Sequence, residues 1–111
     1  NQRCPDDFHQ VPFWWERFLQ DPAYVAKLKL RWNTLRGSTL ANAAIQSKID
    51  DYVGQMNAAD AAGNNFQRWP VLGAYVWPNR FVGNTYESEV EYLKSWINDR
   101  LSWLDVVIGA M

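Results

Sequence analysis

The sequence predicts an all-α protein: an antiparallel bundle of three main helices, with a short N-terminal helix and a long aromatic loop before the last helix. Three observations carry this prediction. Apolar residues recur at spacings of three and four over most of the chain. Proline falls at the edges of those stretches rather than inside them, and Gly37 separates two of them. No stretch alternates convincingly with the period of a strand, and the best such run, Tyr75-Val76-Trp77, is short and followed by proline. The 111 residues suit one domain. Aromatic content is 15%, with seven Trp. Burying one such ring removes on the order of 150–250 Å² from water, so a chain this short can build a core without disulfide or metal. Residues 1–10 are expected to be flexible.

The first helix is read within Val11 to Gln20. Phe18 follows Trp14, and Leu19 follows Trp15, each by four positions, so they share a face. Asp21-Pro22 ends it, because the residue before proline is pushed out of the helical region. The same dipeptide starts the second helix, with Asp21 as cap and Pro22 in the first turn. That helix runs to Arg36, with Val25, Leu28, Trp32 and Leu35 as its stripe and Gly37 as its stop. Lys27, Lys29, Arg31 and Arg36 are placed mostly off the stripe.

Ser38 or Thr39 is the expected cap of the third helix. Ile45, Ile49, Tyr52, Met56 and Ala59 repeat with helical phase, which continues to Phe66. One helix to about Arg68 is therefore expected, with a break near Ala62 as the alternative because of Gly63. The last helix starts at Asn84 or Thr85, with Asn84 and Glu87 in capping-box spacing. Tyr86, Val90, Leu93, Ile97, Leu101, Leu104 and Ile108 form its stripe. Trp32 and Trp96 are the expected core anchors.

Charge and motifs exclude several functions. Eleven basic and twelve acidic residues give a net charge of −1 without a basic stripe, so no nucleic-acid partner is expected. Apolar runs fall far short of the ~20 residues of a membrane span. The single cysteine, Cys4, forbids an intrachain disulfide. There is no signal peptide or initiating Met, and the abrupt start at Asn1-Gln2-Arg3-Cys4-Pro5 reads as the middle of a longer protein. The whole of 1–111 is thus expected to be one helical domain excised from the C-terminal part of that protein.

Candidate chemistry is sparse. Asp6, Asp7 and His9 lie near a chain end with nothing to hold them rigidly, so no metal site is expected. Pro5 argues against a local Cys4–His9 pair. Asp50-Asp51 and Glu87, Glu89 and Glu91 read as solvated helix faces. No glycine-rich phosphate loop is present. No catalytic, cofactor-binding or metal residue is assigned. The one candidate binding surface is Trp69, Tyr75, Trp77, Phe81 and Tyr86 in the loop over 69–86, where rigid rings could stack on a sugar or peptide. The competing and favoured reading is that these rings close the core beneath the loop.

Larger blocks carry a family resemblance. They are Trp14-Trp15-Glu16-Arg17-Phe18-Leu19-Gln20-Asp21-Pro22, then Lys27 through Arg36, Asn65-Phe66-Gln67-Arg68-Trp69-Pro70, Tyr75-Val76-Trp77-Pro78-Asn79, and Tyr86 through Asp105. Together they resemble the C-terminal region of CotH-like proteins, the spore-coat-protein-H family of atypical kinases. The resemblance implies late helices of a kinase-like lobe, in an exported or surface-associated bacterial protein that would use ATP and Mg²⁺. The family's nucleotide and metal residues would lie upstream of Asn1, so none is carried over. The expected role is a non-catalytic helical subdomain supporting the kinase fold. Its partner is the rest of the polypeptide, contacted through Phe13, Trp14, Trp15 and Phe18. The alternative is a carbohydrate- or peptide-binding module built on the loop.

Overall fold

In a computed structural model of the protein, residues 13–111 are described. They form five helices and no strand: α1 (Phe13–Leu19), α2 (Pro22–Arg36), α3 (Asn42–Ala58), α4 (Ala61–Arg68) and α5 (Tyr86–Gly109). The all-α class is therefore as predicted. The expectations for residues 1–12, including Cys4, Asp6, Asp7 and His9, lie outside the described residues.

The second helix has the predicted bounds. Asp21 accepts a hydrogen bond from the Ala23 N–H at 2.9 Å, and Pro22 occupies the first turn, where its missing N–H costs nothing. The third helix departs from expectation at both ends. It starts at Asn42, and its cap position is Ala41, with no side-chain cap. Ser38 instead donates its hydroxyl to the Thr34 carbonyl at 2.9 Å, so it closes α2 rather than opening α3. At the other end the chain breaks at Ala59-Asp60, where Asp60 takes a left-handed conformation (φ 49°). Aspartate tolerates that region better than most residues. The helical phase is resumed by α4, which packs back against α3.

The last helix is capped by Thr85 and Ser88, which exchange side-chain and backbone hydrogen bonds at 3.1 and 3.2 Å. The box thus lies one residue later than the Asn84–Glu87 spacing suggests. Every long-range polar contact places α5 antiparallel to the two helices it meets. Lys29 and Arg36 of α2 reach Gly109 and Asp105, then Asn42 and Gln46 of α3 reach Asn98, and Tyr86 meets Met56. Residue numbers rise along α2 and α3 while they fall along α5. The two helices therefore lie in series along one long partner, rather than folding back on each other as in an up-down-up bundle. The result is a slab 52 × 36 × 18 Å.

Such a slab has little interior. Among the described residues the buried apolar side chains are Leu101 and Ile108, both on the predicted α5 stripe. Val25, Leu28, Trp32 and Leu35 of α2 are half-buried, as their shared phase requires. On α3 the covered row runs through Ile45, Ile49 and Val53, leaving Tyr52 52% exposed. Trp96 is 53% exposed and is not a core anchor. The row through Leu101 and Ile108 faces α2 and α3, and Trp96 and Trp103 fall outside it. The Arg100 guanidinium lies 4.3 Å from the Trp103 ring centroid, covering that ring from its own helix.

Candidate functional site

The described residues carry two polar clusters and two aromatic regions. The first polar cluster joins α2 to α5. Trp32 donates its indole N–H to Asp105 Oδ1 at 2.8 Å, and Arg36 donates Nε and Nη2 to the same carboxylate at 2.9 and 3.0 Å. Arg36 also donates through Nη1 to the Leu40 carbonyl, tying the turn after α2 to the same point. The bonded guanidinium, helped by the indole, holds the Asp105 carboxyl below the usual carboxylate range. Lys29 donates to the Gly109 carbonyl at 3.1 Å, placing a cation at the C-terminal end of α5, whose own last turn has no base. Lys29 and Arg36 thus face α5, contrary to their expected place off the stripe. Trp32 and Arg36, four apart on one helix, are the signal that such a clasp leaves in a sequence.

The second cluster joins α3 to α5. Lys94 lies 2.6 Å from Asp50 and 3.1 Å from Glu91. Hydrogen bonds to both carboxylates, Asp50 first, raise the Lys94 pKa. The two acidic sets noted in the sequence therefore contribute one member each to a shared cation, and the acid side chains remain mostly exposed. Above this pair, Asn42 and Gln46 donate to the Asn98 side-chain oxygen at 3.1 and 3.2 Å. Among the described residues no three His, Cys, Asp or Glu side chains are grouped to hold a metal. No helix there is long and apolar enough to cross a membrane.

The first aromatic region is the α1–α2 corner. Trp14 meets Trp15 and Phe18 edge-on, with centroids 5.9 and 5.6 Å apart, and Phe18 stacks on Tyr24 at 5.2 Å. These rings cover one another but little else does. Trp14, Trp15 and Phe18 are each close to half exposed.

The second is the loop over 69–86. Its backbone is closed on itself: the Gly73 N–H donates to the Gly83 carbonyl at 2.8 Å, and the Gly83 N–H donates to Glu89 Oε1 at 2.6 Å. Both glycines are required here. Gly73 has φ +75°, and a Cβ on Gly83 would lie 2.6 Å from the Ser88 hydroxyl. A further turn joins the Asn79 N–H to the Val76 carbonyl at 2.8 Å and carries Trp77 at its bend. Of the five candidate residues, the structure brings two into the fold. Phe81 stacks on Tyr92 at 4.2 Å with the planes 9° apart, and Tyr86 packs on Phe66 at 6.1 Å. The other three stand out of it: Trp69 is 60% exposed, Tyr75 66% and Trp77 80%. The expectation that these rings close the core holds for Phe81 and Tyr86 and is overturned for Trp69, Tyr75 and Trp77. The reason is geometric, because a loop drawn tight by its own hydrogen bonds turns part of its side chains outward.

No curated protein and no solved structure matches this chain. The family described as CotH kinase protein matches over residues 1–104, which takes in all five helices but the last turn of α5. The chain belongs to the CotH kinase protein family.

Proposed function

We propose that residues 1–111 act as a non-catalytic helical subdomain that supports a CotH-type kinase fold and docks on the remainder of that fold through the α1–α2 corner. The observation that carries this reading is the aromatic face of α1. Trp14, Trp15 and Phe18 are mutually packed and collectively half exposed, and a contiguous apolar patch of that kind marks an interaction surface. The slab's thin interior supports it as well. The proposed setting is an exported or surface-associated protein.

Catalysis is assigned elsewhere. Phosphoryl transfer requires a phosphate cradle, a metal-binding acid and a base in one place. The described residues do not fit ATP with Mg²⁺. The N-terminus of α2 is closed by Asp21 and Pro22, and that of α5 is flanked by Glu87 and Glu89; both would repel phosphate. Three of the helices' cations are already engaged: Arg36 on Asp105, Lys94 between Asp50 and Glu91, and Lys48 over the Tyr52 ring.

Side-chain footprinting tests the docking directly. Trp14, Trp15 and Phe18 should label readily in the 111-residue chain and be protected in a longer CotH polypeptide that includes the upstream kinase portion. Equal labelling in the two would refute docking through this corner. Calorimetric titration of the 111-residue chain with Mg-ATP should show no saturable heat at millimolar ligand; saturable binding would place a nucleotide site in this chain.

A further inference from the structure

The loop over 69–86 is built unlike the α1–α2 corner, and the difference points to a different occupant. At the corner the rings cover each other. In the loop, Trp69, Tyr75 and Trp77 have no ring partner among the described residues and are mostly exposed, with Arg68 over the Trp69 ring. They are nevertheless held in place. The Gly73–Gly83 and Gly83–Glu89 hydrogen bonds fix the loop's neck, and Phe81 anchors its return on Tyr92. Rings presented on a fixed backbone lose little freedom on binding, which is the property of a recognition loop.

Charge narrows the ligand. From Ala61 to Tyr86 the sequence has no acidic residue and two arginines, although the chain as a whole is net negative. Arg68 lies 5.4 Å from the Trp69 ring centroid, and Arg80 follows the turn that carries Trp77. Asp60 bounds this run on its N-terminal side, at the start of α4, and the two acids that follow it are placed where they oppose an anion least. Glu89 is bonded to the Gly83 N–H, and Glu87 sits in the first turn of α5, where the helix dipole offsets its charge. Two arginines are too few for nucleic-acid binding, which needs a longer basic track. Flat, separate rings, one with a guanidinium over it and a second arginine three residues beyond another, suit a polymer with repeated apolar faces and intermittent carboxylates.

We propose that Trp69, Tyr75 and Trp77, with Arg68 and Arg80, form a binding surface for an acidic polysaccharide. Each ring stacks on the C–H face of a sugar, and the arginines pair with uronate carboxylates. This reading is independent of docking through α1.

Affinity electrophoresis of the full-length polypeptide through gels containing polygalacturonate, dextran or poly-L-glutamate tests it. Polygalacturonate should retard the protein more strongly than either of the others. Trp77→Ala should weaken that retardation on the order of tenfold, as for a central aromatic contact, and Arg80→Gln should weaken it less. Trp15→Ala on α1 should leave it unchanged. Trp77 is 80% exposed, so its replacement leaves the helical fold intact by circular dichroism. Absence of retardation by polygalacturonate would overturn the proposal, as would retardation that survives both Trp77→Ala and Trp69→Ala. Equal retardation by poly-L-glutamate would also overturn it, identifying a simple anion surface.

Discussion

The α2–α5 seam and the loop between α4 and α5 use the same residue types to opposite ends. Each offers tryptophan beside arginine. At the seam, Trp32 and Arg36 converge on Asp105, and the indole N–H and the guanidinium are spent on one carboxylate. In the loop, Trp69 has Arg68 over its ring and Trp77 precedes Arg80, but no acid occurs between Ala61 and Tyr86. Trp69, Tyr75 and Trp77 there remain mostly exposed, as do Arg68 and Arg80. One aspartate thus separates a structural clasp from an open surface. Tryptophan and arginine content alone does not tell the two apart.

The largest expected effect lies at the seam. Leu101 is one of the two buried apolar side chains among the described residues. Leu101→Ala should destabilise the chain by about 2–4 kcal/mol in urea unfolding, near the low end for a buried leucine because the slab can relax around it. That is a large share of the roughly 5–15 kcal/mol of an ordinary domain. A cost under about 0.5 kcal/mol would mean that the seam does not hold the fold. Within the loop, Phe81→Ala should cost about 1–2 kcal/mol, since a half-buried ring loses its stack on Tyr92. If it costs no more than a surface substitution, the loop is not anchored and the comparison with the seam loses one side.

The seam's polar clasp should be visible in the pH dependence. Asp105 has a folded pKa below its ordinary value because Arg36 favours the carboxylate. Its stabilisation is then fully present above about pH 4, the ordinary carboxylate range, and is lost as pH falls through the lowered value. Asp105→Asn should lower the melting temperature at pH 7 and reduce its acid dependence below pH 4. Lys94 behaves in the opposite sense. Its raised pKa makes its contribution complete below about pH 10 and lost as pH rises through the folded value. An unchanged acid limb in Asp105→Asn would detach the clasp from stability.

Helix identity and phase were legible in the sequence because they depend on local spacing. The Val25–Leu35 stripe, the Asp21-Pro22 boundary and the row through Leu101 and Ile108 all follow from three- and four-residue repeats. The break at Asp60 was less legible, since Ala59 and Phe66 keep helical phase across it and only the left-handed turn interrupts the hydrogen bonds. The clasp was hidden for another reason. Arg36 and Asp105 are 69 positions apart, and nothing local tells an arginine whether its carboxylate lies in solvent or on another helix. The same gap concealed the fate of the loop rings. Phe81 and Trp77 look alike in a sequence, but one meets Tyr92 and the other meets no ring.

The smallest expected effect on stability is at Trp77, and it separates the two regions most sharply. Four-fifths of its surface is already in water, so Trp77→Ala removes little that folding has buried. Hydrophobic stabilisation follows the area taken from water, and a surface substitution away from any clasp usually stays within about 0.5 kcal/mol. The same replacement at Trp32 loses a half-buried ring and the indole donor to Asp105, leaving part of the carboxylate's hydrogen bonding unmade. Urea unfolding of the two variants should therefore place Trp32→Ala well below Trp77→Ala in midpoint, with the latter near the parent chain. If the order were reversed, Trp77 would be covered in solution. The loop would then be a second structural clasp, and the open surface inferred for it would not exist.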